Sequence, residues 1–138
     1  MIKKPKTKYK FSCPLFQIRV YLVVGDKKQL EAFHVYDENY HDAECHSIEV
    51  EEIESDGSTG LKSRHLLVWV KEHDDYYGMV HETVHLVKRI FEIMGIPFNE
   101  ENDEIIAYYQ NYWVRKFWRV MANLIEYKKE VKTNGKSK

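Results

Sequence analysis

The feature that most constrains this chain is a change of hydrophobic period near residue 77. Before it, apolar residues come in short β-branched and aromatic runs. After it, Val80, Val84, Val87, Phe91 and Met94 recur at offsets of 4, 7, 11 and 14, the spacing of one face of a helix. Gly95 and Pro97 close that stripe, as a residue free to go left-handed and a residue without an N–H should. A second stripe follows at Ile106, Tyr109, Trp113, Val120 and Leu124. Asn99 or Asn102 is placed to cap it, and acids at 100, 101, 103 and 104 suit its first turn. The pattern predicts a helix from about 77 to 94 and another running to about 127.

Upstream, LFQIRVYLVV (15–24) and RHLLVWV (64–70) read as strands, and SIEVEEIE near 47–54 as a half-exposed one. LEAFHVY (30–36) fits a strand or a short helix. Gly25-Asp26 and SDGSTG (55–60) read as turns. Strands first and helices after predict an α+β domain: a small, mainly antiparallel sheet followed by two long helices on one face. At 138 residues there is room for one core. The expected organisation is a flexible basic arm over 1–12, a single domain over 13–127 and a flexible basic tail over 128–138.

Charge supports that division. Net charge is −1, but residues 1–10 carry five lysines and no acid, and residues 126–138 five lysines and two glutamates. The segment 37–56 holds nine acids and no Lys or Arg, and reads as a solvated face. An acidic body is not that of a dedicated nucleic-acid binder. The aromatic-basic run YWVRKFWR (112–119) reads as an amphipathic helix rather than a nucleic-acid surface. No apolar run is long enough to span a membrane, and no secretory signal is read at the N-terminus. Two cysteines, Cys13 and Cys45, make no disulfide framework, so a reducing, cytoplasmic location is expected.

The chemistry concentrates in His81-Glu82-Thr83-Val84-His85, an H-E-x-x-H sequence. On a helix, i and i+4 share a face, so two imidazoles there can reach one Zn²⁺. Glu82, one step round, is placed to take a proton from water. Catalytic zinc usually has three protein ligands and one open position. Glu104, in the first turn of the next helix, is the candidate third; Glu100, Glu101 and Asp103 are its neighbours in the competition. Helix-dipole compensation alone would also explain those acids.

HETVH followed by GIPFNEENDEIIAYY resembles the gluzincin type of zincin metallopeptidase, over about residues 64–113. Glu104-Ile105-Ile106-Ala107 is similar to the E-x-x-A pattern of small zincin-like proteins, including short phage- and prophage-encoded ones. The resemblance implies His81, His85 and Glu104 as zinc ligands, Glu82 as general base, and a peptide or protein as substrate. Many gluzincins carry an aspartate four residues after the ligand glutamate to orient a ligand histidine. Here that position is Tyr108, whose oxygen would accept the imidazole N–H less strongly than a carboxylate. The resemblance also makes 64–70 the candidate for an edge strand that pairs with extended substrate. The competing expectation is a binding or regulatory module on a zincin scaffold, with a structural or vestigial metal.

Further candidates are weaker. His73, Tyr76 and Tyr77 precede the motif, where one could donate to an oxyanion. Asn111 and Arg115 follow Glu104 and Tyr108 at helical spacing and are expected on the metal's side. His41, Cys45 and His46 form a loose cluster that matches no strong metal template.

Overall fold

A computed structural model describes residues 6–13, 18–33, 35–36, 41–53 and 59–136. The fold is α+β. Four strands, β1 (Lys8–Ser12), β2 (Arg19–Val24), β3 (Ala43–Ile53) and β4 (Thr59–Val70), form one sheet in the order β1-β2-β4-β3. β1 pairs with β2 and β3 with β4 antiparallel; β2 and β4 are parallel. The central strand explains the unbroken apolar run at its end. Residues 65–70 are all buried because both faces of β4 are covered.

The two faces sort by alternation. Val20, Leu22 and Val24 join Leu66, Val68 and Val70 under the long helices. Val23, Leu67 and Trp69 point the other way, where Ile48 and Leu30 cover them. Leu30 comes from a short helix, α1 (Lys27–Glu31), capped by Asp26. Of the ambiguous 30–36 stretch, Leu30 and Glu31 are thus helical: the turn after Gly25 makes a helix that ends at Glu31, and Trp69 anchors that turn by donating Nε1–H to Gly25 O at 2.9 Å.

The long helices are α2 (Tyr76–Met94) and α3 (Asp103–Lys136), joined through a 3₁₀ turn at Glu100–Asn102. Gly95 ends α2 at φ +70°, in the left-handed region that the sequence assigned to it. The helices run antiparallel: Tyr76 packs on Trp118 and Phe91 on Tyr109. No helix among the described residues is long and apolar enough to cross a membrane.

Three expectations need correction. The supposed flexible arm over 1–12 contains β1. Tyr9 and Phe11 alternate with lysines, and Phe11 lies edge-on to Trp113 and Phe117 at 6.3 and 5.8 Å. The lysines then sit outward on an edge strand, where charge discourages pairing with other chains. The supposed tail over 128–138 is helical as far as Lys136, because no Gly or Pro interrupts residues 103–134. Residues 1–5, 137 and 138 lie outside the described residues. Finally, the buried face of α2 is turned relative to the valine stripe. Met79, Thr83, Leu86, Val87, Ile90 and Phe91 are buried, whereas Val84 is 44% and Met94 38% exposed. A polar Thr83 at the core hid the true stripe from a count of apolar residues.

Candidate metal centre

The start of α2 sets where the motif faces. Asp75 caps the helix by accepting from Gly78 N–H at 2.9 Å. Gly78 keeps that cap close: a Cβ there would stand 2.1 Å from Asp75 Oδ2. With the first turn so fixed, Met79, Thr83 and Leu86 enter the core and His81 and His85 face outward. Thr83 is buried without cost to its hydroxyl, which donates to Met79 O at 2.7 Å.

His81 and His85 are both exposed, with their Nε2 atoms 3.3 Å apart. Two nitrogens bound tetrahedrally at 2.0–2.1 Å from zinc stand about 3.3–3.4 Å apart. The donor pair therefore has the span that one zinc ion requires. Glu82 is buried and lines the same cleft as the histidines. Its Oε1 lies 3.9 Å from His81 Nε2. Burial pushes its carboxyl above the usual carboxylate range, with His85 and His81 pulling it back. A carboxyl held nearer neutrality is suited to taking and returning a proton.

An open cleft of about 590 Å³ lies beside the motif. Residues 41–46 line one side; Asp75, Gly78, His81, Glu82, His85 and Arg89 line the other. Glu44 organises the strand side. Its buried carboxylate accepts from His41 N–H at 2.8 Å and pairs with His46 Nε2 at 2.6 Å. Glu44 and His46 alternate with Cys45, which joins the core under the helices. The pair thus braces the outer face of the edge strand, and at i, i+2 it was readable as one strand face. His41, Cys45 and His46 do not gather as metal donors among the described residues.

Other anticipated residues fall elsewhere. Glu104 is exposed in the first turn of α3. The antiparallel packing, held partly by Gln110 Nε2 donating to Val80 O at 3.4 Å, sets that turn beside the second half of α2. Among the described residues, no group of three His, Cys, Asp or Glu donors within 4.8 Å of one another includes the two histidines. Tyr108 is 66% exposed and, with Asn111 and Arg115, lines a separate hollow of about 200 Å³ on α3. Asn111 and Arg115, expected on the metal's side, line this hollow and not the cleft beside the motif. Tyr76 is committed to Trp118 at 4.9 Å, and Tyr77 is exposed to solvent. Strand 64–70 is not an edge: β2 and β3 both pair with it, and β3 takes the edge beside the motif.

The turn before α2 adds a donor group that no motif in the sequence signals. Glu72, His73 and Asp74, consecutive in the turn before α2, bring ligand atoms within 4.8 Å of one another. Lys128 Nζ stands 3.1 Å from His73 Nδ1, so a cation already faces the group. No family description, curated protein or solved structure matches this chain.

Proposed function

We propose that this protein is a zinc-dependent, peptidase-like hydrolase. The observation that carries the reading is the 3.3 Å Nε2–Nε2 separation of His81 and His85, beside a buried glutamate and an open cleft. His81 and His85 would hold the metal, and Glu104 is proposed as the third protein ligand. Zinc, when bound, supplies Lewis acidity that polarises a carbonyl and acidifies water. The protein's own part falls to Glu82. Its carboxylate takes a proton from the attacking water and returns it to the leaving amine. Strand β3, at the sheet's edge among the described residues, offers that edge to an extended peptide. We place the activity in the cytoplasm, since both cysteines are free and buried.

The test is metal content beside hydrolysis. The wild-type chain is expected to carry about one zinc and to cleave members of a peptide library. Glu82→Gln is expected to keep the metal and lose cleavage. Loss of the metal in Glu82→Gln would refute the division of roles.

A second reading, a binding or regulatory module with a vestigial metal, draws on one observation. Neither Glu104 nor Tyr108 stands with the histidine pair. Zinc bound with full affinity by Glu104→Ala, and no cleavage by the wild type, would favour it.

A further inference from the structure

The cleft does not end at His85. A second hollow, about 480 Å³, is lined by Ser47, His85, Lys88, Arg89, Glu92 and Ile93. It shares His85 and Arg89 with the first, so the two meet in one trough along the β3 edge. The ends of this trough differ in charge. Asp42, Glu44 and Asp75 lie at one. Lys88 lies at the other, with Glu92 as the single acid among the described residues of that lining, and Arg89 stands where the two hollows meet.

Arg89 is half-buried, and its Nη1 donates to the neutral Ser47 Oγ at 3.3 Å. Among the described residues it pairs with no carboxylate. A guanidinium carries five donors in a planar fork shaped for a carboxylate. One long hydrogen bond to a serine leaves most of that capacity facing the trough. We infer that Arg89 is a specificity residue: it receives the side-chain carboxylate of an Asp or Glu in the peptide substrate. The inference rests on the hydrolytic reading above. It also fixes a distance. Arg89 is one helical turn, about 6 Å, beyond His85. An extended peptide advances about 3.3 Å per residue, so the acid sits about two residues from the scissile bond. Lys88, exposed beside it, adds attraction that weakens with salt.

The experiment uses the full chain with zinc and a randomised octapeptide library, followed by paired peptides differing only as Glu or Gln at the preferred position. The Glu peptide is expected to show at least a tenfold higher kcat/KM. Arg89→Gln is expected to bring it down to the level of the Gln peptide, Arg89→Lys to restore part of the gap, and Arg89→Glu to favour a Lys peptide instead. Cleavage without an acid preference, or a preference unchanged in Arg89→Gln, overturns the inference while leaving hydrolysis standing. If the wild type cleaves nothing, the hydrolytic reading has failed. Fluorescence anisotropy on Glu82→Gln protein then decides, using labelled octapeptides containing Asp and Glu or the same set with Asn and Gln. A tenfold tighter, Arg89-dependent binding of the acidic set supports the site; equal affinities overturn it.

Discussion

Zinc should stabilise this fold through His81 and His85 together, and the size of the effect follows from their geometry. With the two Nε2 atoms already 3.3 Å apart, metal binding requires little rearrangement of α2. Binding to the folded state alone adds about 2.7 kcal/mol when free zinc is 100 times its Kd. For 138 residues the unfolding entropy is about 0.29 kcal/mol/K, so Tm should rise by ~9 °C. The assay is thermal unfolding followed by circular dichroism over a zinc titration, with a chelator-treated sample as reference. Removing either imidazole leaves one histidine where the geometry needs two, so His81→Ala and His85→Ala should each lose the shift, while Glu82→Gln should keep it. Equal shifts in the wild type and His81→Ala would refute the reasoning. A shift that survives in both histidine variants but vanishes in His73→Ala would move the metal to the Glu72-His73-Asp74 turn.

Phe11→Ala should cost about 2 kcal/mol in urea unfolding, since the ring is half-buried against Trp113 and Phe117; a flexible arm would show no change. Gly95→Ala should cost about 1 kcal/mol, and Gly95→Asn less. A Cβ there meets nothing within 4 Å, so the cost is that of the left-handed backbone alone; a neutral Gly95→Ala would contradict it. Burial pushes the Cys45 thiol up to about 12, with Arg89 drawing it down and Glu82 pushing it up. At pH 8.5 native Cys45 should therefore alkylate about a thousandfold more slowly with iodoacetamide than in urea, as mass spectrometry would read; equal rates would sink this. The same raised value sets a sign for stability. From the ordinary thiol range upward, the unfolded chain releases a proton that the folded chain retains, so stability falls as pH rises toward about 12.

Local rules carried the elements a long way. The helical period and its Gly95-Pro97 stop located α2 to within a residue, because both are properties of neighbouring residues. The i, i+4 spacing of His81 and His85 put them on one face for the same reason. β1 is not legible locally because its five residues depend on pairing with β2 and on Phe11 packing against Trp113 and Phe117, more than a hundred positions away. The apolar stripe of α3 fades near 127, which predicts an end there, although nothing in 128–134 breaks a helix.

Composition and periodicity thus decided the α+β order, the two long helices and the histidine pair, all products of contacts a few residues apart. Strand order was not among them. Whether 64–70 or 43–53 lies at the sheet's edge depends on which strands pair, and local alternation is the same for either answer. The tertiary structure also decided the companions of the motif. It set Glu82, Arg89 and strand β3 around one trough and Tyr108 at a separate hollow on α3, because those positions follow from how α2 and α3 pack on the sheet.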